Sequence, residues 1–327
     1  MCARFIGDNN SAGWKYESGT YANASGTEQW PGLVQSSDVV EEESFRQARF
    51  INGGSRDISQ TWQEAISATG NNSAWVQDWR MLGFTLGSIV TTGSPYSHVL
   101  TAVNSDSSNG FTSGTSAPFI SFSYQDSKKF NDTGLNHNKV LNGAMVDSLS
   151  IEWKEGEPVT MNTDMVGQNV TYSSGAPWAP TANTERPYLW SDTVFGLPSG
   201  TPIKFVKSAT FKVNNNIVAN NYINGSRMPE LPYPDNRDYT FDLTCDASTE
   251  WAKTFYEQYY KGGSEFNLHI ACGKSAVRKI DITLSGCTVN SCTDPSSTNG
   301  AQEMSIGVVP KTAVATVVDN IAKYGAW

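Results

Sequence analysis

Apolar and polar residues alternate along most of the chain with a period of two. Residues 149–154, 209–213 and 280–285 each place aliphatic or aromatic side chains at every second position, with Ser, Thr, Lys, Glu or Asp between them. This period is typical of strands that bury one face and expose the other. The pattern predicts a mainly β fold.

Only a few segments have helical spacing. Residues 73–82 and 248–260 carry aromatic residues four positions apart and are followed by glycines. They predict two helices whose aromatic side chains lie in the core. Residues 314–321 fit either a helix face or a strand.

Short segments recur in the same order in both halves of the chain. The offset between matched residues is 176 for Trp75 and Trp251 but 143 for Gly143 and Gly286, so the first copy carries an insertion of about 33 residues. Such self-similarity indicates an internal repeat. The other matched segments are Leu33–Ser36 with Phe205–Ser208 and Gly156–Met161 with Gly300–Ser305.

These matches divide the chain into four parts. Residues 1–32 form an N-terminal arm, 33–165 the first repeat and 204–327 the second, with a linker rich in Pro, Gly and Ser at 166–203. The insertion is assigned to a long surface loop at 91–138, which is dense in Ser, Gly, Asn and Asp. The expected fold is mainly β (α+β), with two tandem β-sandwich or partly open β-barrel domains, each with one packed helix.

Charge excludes one class of function. Lys and Arg total 23 against 32 Asp and Glu, which gives a net charge of −9 and argues against a protein that grips nucleic acid. No apolar stretch approaches the roughly 20 residues of a membrane span, and the N-terminus lacks an apolar export segment. Charged residues make up 17% of the chain, below the typical value of about 25%, which suits both a secreted sugar-handling protein and a subunit buried in an assembly.

The sequence offers no clear catalytic or cofactor site. Its three histidines are His98, His137 and His269, so no HExxH zinc motif exists, and neither a nucleophile elbow nor a phosphate-binding loop occurs. A pair of carboxylates acting on a glycosidic bond remains open, with Glu152, Glu155, Glu157, Asp57 and Asp78 as candidates. We expect no catalytic residue, no cofactor and no metal.

The cysteines and sequons leave alternatives open. Four of the five cysteines lie in the last third, as Cys245, Cys272, Cys287 and Cys292, and their spacing is not typical of a zinc site. The odd number of cysteines and the lack of an export segment favour structural thiols over disulfides. Six Asn-X-Ser/Thr sequons would be glycosylated only in a secreted protein.

The order of these features resembles the tail tube (major tail) proteins of tailed viruses, in their larger, internally duplicated form. The resemblance runs from residue 33 to about 310. It rests on short motifs whose order matters more than any single residue. They are the turns Asn52–Arg56 and Asn224–Arg227, the helix end Leu82–Phe84, and the strand segments Phe119–Ser123 and Leu141–Ile151.

The resemblance implies a structural virion protein and not an enzyme. Such subunits form rings that stack into a hollow filament, and strands of neighbouring subunits continue one inner sheet around the lumen. Two repeats per chain then imply three chains in a pseudo-sixfold ring. Viral DNA passes through the lumen without specific binding. The implied partners are further copies of the chain and the tape measure, tail terminator and baseplate or tip proteins, with a sheath protein as a further candidate. The resemblance implies that the protein is made in the host cytoplasm, is located in the virion tail and has no membrane partner.

Two sets of residues follow as hypotheses. Acidic walls would keep DNA mobile by like-charge repulsion, and the lumen-facing candidates are Glu41, Glu42, Glu43, Glu152, Glu155 and Asp164. The candidates for contact with the next ring, in the loop at 91–138, are Ser105, Asp106, Asn109, Gly110 and Phe111. Two alternatives remain: a secreted or surface β-protein that binds or hydrolyses carbohydrate, and a pilus or surface-layer subunit.

Overall fold

β-Strands dominate the structure, a computed structural model, and confirm the mainly β fold. It describes residues 10–17, 21–24, 26–48, 58, 60–103, 120–130, 134–197, 202–203, 205–221, 226–229, 232–247, 253, 255–293, 303–322 and 324.

Eight antiparallel strands lie side by side in what we call the front sheet. One of its faces packs into the core and the other is exposed, because buried and exposed side chains alternate along its central strands. In spatial order the strands are β2 (Leu33–Ala48), β3 (Gln60–Trp75), β8 (Thr160–Gly167), β7 (Asn136–Lys154), β11 (Val206–Asn214), β14 (Asp238–Asp246), β17 (Glu303–Val309) and β16 (Arg278–Thr293).

Two back sheets cover the buried face of the front sheet. The first consists of β1 (Ser11–Tyr16), β6 (Phe122–Lys129), the beginning of β7, and β9 (Asn169–Ser173). The second consists of β4 (Gly87–Thr92), β5 (Tyr96–Ala102), β18 (Thr312–Asp319), the beginning of β16, β15 (Phe266–Ser275) and β10 (Thr193–Gly196). A short separate pair is formed by β12 (Ile217–Val218) and β13 (Tyr233–Pro234).

β7 and β16 each run from a back sheet into the front sheet, and each changes sheets at a glycine. Gly143 has φ 66° and Gly286 has φ 61°. Glycine adopts this left-handed conformation without the penalty of a Cβ atom. The two glycines therefore allow one strand to serve both layers of each sandwich.

The two halves of the front sheet repeat one strand order. In each half the first two strands are neighbours and the fourth strand lies between the second and the third, as β2-β3-β8-β7 and β11-β14-β17-β16. β7 pairs with β11 and joins the halves. β-Bulges recur at Val34/Ser36 and Val206/Ser208, and at Val146/Ser148 and Val289/Ser291.

The bulges test the sequence offsets directly. Asp164 lies opposite Ser148, as Gly307 lies opposite Ser291, so β8 and β17 correspond at an offset of 143. The sequence match of Gly156–Met161 with Gly300–Ser305 has an offset of 144 residues. In β8 and β17 this alignment is therefore shifted by one residue. Met161 corresponds to Met304, and both side chains are buried.

The first helix is shorter than predicted, and of the second predicted helix residues 248–252 and 254 lie outside the described residues. α1 (Arg80–Leu86) packs on β7, and a π-helical turn (Tyr256–Lys261) packs on β16; a 3₁₀ turn spans Trp190–Asp192. The predicted helix at 73–82 is wrong in its first part, because residues 73–75 belong to β3. There the alternation of buried and exposed residues continues to the end of the strand, which outweighs the i, i+4 spacing of two tryptophans.

Residues 314–321 are mostly strand. β18 buries Ala313, Ala315 and Val317 while Val314 remains exposed, so small residues set the buried face that a search for large apolar residues overlooks.

The segments outside the two sequence repeats also carry strands. Residues 10–32 contribute β1, and 166–203 contain the end of β8, β9 and β10. The expected loop at 91–138 contains β5 and β6. Between α1 and β6 the chain forms the β4–β5 hairpin, whereas the π-helical turn and β15 are separated only by residues 262–265. Because β5 pairs with β18, the insertion extends the second back sheet.

Candidate assembly interface

The exposed face of the front sheet is covered mainly by small polar side chains that bond across strands. Ser73 donates to Asn162 Oδ1 at 2.6 Å, and Asn162 Nδ2 donates to Glu152 Oε1 at 2.9 Å, which links β3, β8 and β7. Ser148 donates to Asp164 Oδ2 at 2.7 Å. Such cross-strand pairs hold the register without apolar contact. The face is therefore ordered, hydrophilic and open to solvent.

Three of the six predicted lumen acids lie on this face. Glu42 is on β2, Asp164 on β8 and Glu152 on β7, and all three are exposed. Glu155 lies beyond the end of β7, in the turn that leads to β8, and is also exposed. The structure thus brings together acids that are more than a hundred residues apart in sequence.

Glu41 and Glu43 lie on the opposite side of β2. Glu41 faces the same side as buried Ala68, its partner on β3, and its carboxylate accepts a hydrogen bond from the backbone N–H of Val170 at 3.1 Å. Glu43 accepts from Gln63 Nε2 at 2.6 Å. The run of three glutamates is therefore divided by the period of the strand.

Sequence reasoning missed the acids of the second half. Asp238 and Asp242 on β14, and Glu303 at the start of β17, occupy exposed positions of the same face. The signal was present, because residues 238–246 alternate between polar and buried positions. Two lysines, Lys154 and Lys212, also occupy exposed positions of this face.

Both edges of the front sheet are open among the residues that the structure describes. Among the described strands, β2 has β3 as its pairing neighbour on one side, and residues 288–293 of β16 have β17 on one side. At β2 two side chains occupy the edge: the Val39 N–H donates to Asp38 Oδ1 at 2.9 Å, and the Val39 carbonyl accepts from Lys139 Nζ at 2.8 Å. Lys139 and Asp38 also form an ion pair at 3.4 Å. We call this arrangement the edge clamp.

The two ends of the front sheet differ in shape. At one end the β2–β3 hairpin extends beyond β8 by residues 60–67, or roughly 26 Å at ~3.3 Å per residue. Phe45 and Trp62 on this projection are 59% and 42% exposed. Phe45 pairs with Gln63 and Trp62 with Arg46, so the hairpin presents one large apolar side chain on each of its two faces. Exposed apolar side chains on a projection mark a surface for a partner.

A groove of about 320 Å³ lies at the other end, where β7 finishes and β11 begins. Trp190, Val194 and Trp153 line it, with Lys154 and Lys207 at its margin. Val194 is 54% exposed, and Phe205, which precedes the lining residue Val206 in the chain, is 62% exposed. The hairpin and the groove thus lie at opposite ends of the same sheet.

The remaining candidates do not form a catalytic arrangement among the described residues. Glu157 is paired with Lys154 at 2.6 Å, and Asp78 is held by the buried Arg80 at 2.7 Å. In the described part of the chain no three His, Cys, Asp or Glu residues are placed to hold a metal ion. Asp57 lies outside the described residues, as do all five inter-ring candidates between Ser105 and Phe111 and the turn at 52–56.

Burial accounts for the chemistry of the thiols. It raises the pKa of Cys245, Cys272 and Cys287 to about 12. Within the described residues the cysteines form no disulfide. These thiols are packing groups rather than nucleophiles.

Comparison with known proteins agrees with this architecture. The model of the family described as phage tail tube protein matches residues 10–306. No curated protein matches the chain. Within the described residues, no helix is long and apolar enough to cross a membrane. Since the match extends over most of the sequence, the chain belongs to the phage tail tube protein family.

Proposed function

We propose that this structural tail tube protein assembles as three copies to a pseudo-sixfold ring, that the rings stack into a hollow tube, and that the exposed face of the front sheet lines the lumen through which viral DNA passes. The observation that carries the proposal is the front sheet itself. It has eight strands, one polar face and two open edges in the described chain. Exposed edges of this length are an aggregation hazard in a monomer, and a ring satisfies them.

The charge of the exposed face supports its position at the lumen. Glu42, Glu152, Asp164, Asp238 and Asp242 outnumber the lysines there. An acidic wall repels the phosphate backbone, and short hydroxyl and amide side chains offer it no cationic partner. DNA can therefore move along this surface without being held.

A reconstruction of tubes grown from the purified chain tests this orientation. We expect hollow tubes of uniform width with Glu152 and Asp164 on the inner wall. The same carboxylates on the outer wall would overturn the lumen assignment. Monodisperse globules that bind sugar would overturn the tube itself.

Charge reversal tests the role of the acids. Tubes of the Glu152→Lys/Asp242→Lys variant should retain short fluorescent DNA on sedimentation, whereas unmodified tubes should not. A matched control reverses Glu185 and Glu257, which lie off the front sheet. Equal retention by both variants would contradict the proposal.

The hairpin and the groove provide a head-to-tail contact for stacking. The hairpin of one ring, with Phe45 on one face and Trp62 on the other, would enter the groove lined by Trp190 and Val194 in the next. A contact between two different surfaces on opposite ends repeats without closing and so produces a filament. The Phe45→Ser/Trp62→Ser variant should form rings that do not elongate, and full-length tubes would contradict this contact.

The loop that contains Ser105–Phe111 is proposed as a second inter-ring contact. Its deletion should leave soluble subunits that no longer polymerise, and unimpaired tubes would count against it. The proposed partners are the tape measure protein in the lumen and the terminator and tip proteins at the tube ends, with a sheath protein outside the tube as a further candidate.

A further inference from the structure

We infer that residues 40–42 of β2 pair with residues 291–293 of β16 in a second copy of this chain, in the register that β7 and β11 already form within one chain. The inference rests on the proposed function and specifies the contact that closes the ring. Its basis is that each half of the front sheet has the same two lateral edges. One pair of these edges meets inside the chain, and the other pair is open among the described residues.

The internal pairing of β7 with β11 supplies the register. Ser148 lies opposite Asn214, Leu149 opposite Val213 and Ser150 opposite Lys212. The strands are antiparallel, and their side chains continue both faces of the sheet. This contact shows how the edge strand at the end of one half, β7, pairs with the edge strand at the start of the next, β11.

β16 takes the place of β7 in the second half. Both strands change sheets at a glycine, at Gly143 and Gly286, and both carry a bulge four residues later. Counting from the bulge, Ser291 corresponds to Ser148, and residues 291–293 correspond to 148–150.

β2 takes the place of β11 in the first half. The bulge at Val34/Ser36 matches the bulge at Val206/Ser208. Counting from Ser36 and Ser208 along uninterrupted pairing, Glu42, Glu41 and Val40 correspond to Asn214, Val213 and Lys212. The pairs between two copies are therefore Ser291 with Glu42, Cys292 with Glu41, and Thr293 with Val40.

The side chains provide a check that did not enter this count. Ser291 and Thr293 lie on the exposed face of the front sheet, as Glu42 and Val40 do. Cys292 lies opposite buried Ile306, and Glu41 opposite buried Ala68, so both are on the core side. A slip of one residue would place every side chain on the wrong face. The deduced register matches all three pairs.

Engineered cysteines test the register in assembled tubes. In a background with Cys2→Ser and Cys292→Ser, the Glu42→Cys/Ser291→Cys variant should shift most of the chain to a covalent trimer after mild oxidation. The control is Val40→Cys/Ser291→Cys, which keeps the same face but is two residues out of register. Directly opposed Cβ atoms are ~5 Å apart and diagonal ones ~7–8 Å, so the control should remain monomeric on denaturing gels.

The outcomes distinguish the inferred strand pairing between copies from the formation of the tube itself. Tubes whose control variant cross-links would show a different register, and tubes in which neither variant cross-links would show that other edges meet. Either result overturns the inference and leaves the proposed function intact. Failure of the unmodified chain to form tubes would overturn both.

Two further measurements keep the test independent of the double substitution. Mixing Glu42→Cys subunits with Ser291→Cys subunits should give covalent dimers that neither gives alone. In the unmodified chain, hydrogen exchange should slow at least tenfold on assembly at the amide of Glu41, which faces the open edge as that of Val39 does, and at the amide of its proposed partner Cys292. Unchanged exchange in tubes would overturn the inference.

Discussion

The two halves of the front sheet have the same strand order and bulges but are supported by different neighbours. In the first half the glycine at the change of sheet, Gly143, lies under the ring of Tyr21, which donates a hydrogen bond to its carbonyl at 2.9 Å. In the second half Gly286 lies under the aliphatic chain of Lys311. Both halves therefore keep a glycine with positive φ where the strand changes sheets, although the side chains that pack on it differ.

The N-terminal segment explains much of this difference. Glu17, which is buried, accepts hydrogen bonds from Ser121 at 2.7 Å, Ser123 at 2.8 Å and the Gly143 N–H at 2.7 Å. It also accepts from the Ala22 N–H at 3.0 Å. One carboxylate thus ties the segment before β2 to β6 and β7. The first half is accordingly more sensitive to change at this point.

Removal of that carboxylate should have the largest effect on stability. Glu17→Ala leaves several buried donors without their acceptor, and we expect a loss of about 4 kcal/mol in the free energy of unfolding by urea denaturation. Glu28→Ala serves as the control, because Glu28 is a partly exposed acid of the same segment that pairs with Lys15. Equal effects of the two changes would contradict the role assigned to Glu17.

Alanine substitution at Gly143 and at Gly286 should destabilise the two halves to different extents. A Cβ on Gly143 would lie 2.4 Å from the Tyr21 ring, whereas one on Gly286 would lie 2.8 Å from the flexible side chain of Lys311. Both changes strain a positive φ, but only the first meets a ring that is held in place. We expect losses of about 3 and about 1 kcal/mol respectively. A larger loss for Gly286→Ala in parallel urea titrations would reverse the comparison.

The edge of β2 is occupied by the edge clamp, whereas the corresponding edge of β11 is paired with β7. Lys139→Met removes the donor to the Val39 carbonyl and exposes an unsatisfied edge, so polymerisation should begin after a lag several-fold shorter in light scattering. Lys128→Met is the matched control, because Lys128 lies 4.0 Å from Asp38. An unchanged lag for Lys139→Met, or an equal change for both lysines, would show that the clamp does not restrain assembly.

Much of this comparison could be predicted from the sequence, because local patterns determine it. Alternation located the strands, and the matches at Leu33–Ser36 and Gly143–Ser148 coincide with bulges that the strands share. The divided glutamate run, Glu41–Glu43, is a consequence of period two and was open to the same reasoning. Local patterns could not show that Glu17 binds the turn at Gly143, since that contact joins residues distant in sequence. They also favoured a helix at Trp75, where sheet pairing determines the conformation.

Replacement of the buried cysteines should have the smallest effect. Cys245 and Cys287 correspond to Ala74 and Ala144 of the first half, so the fold already accommodates alanine at these positions. We expect Cys245→Ala and Cys287→Ala to cost about 1 kcal/mol each, because each removes one buried sulfur.

The alkaline limb of the stability curve gives a second measurement on the same variants. Burial raises the pKa of both thiols from 9.0 to about 12, so the folded state retains protons that the unfolded state loses. Their contribution is complete below pH 9 and disappears as the pH rises toward 12. The free energy of unfolding of the unmodified chain should therefore fall more steeply over that pH range than that of a variant carrying both Cys245→Ala and Cys287→Ala. If stability falls equally with pH in both chains, the two thiols ionise as easily in the folded chain as in the unfolded one. The second half would then not shield these positions from solvent as the first half shields its alanines.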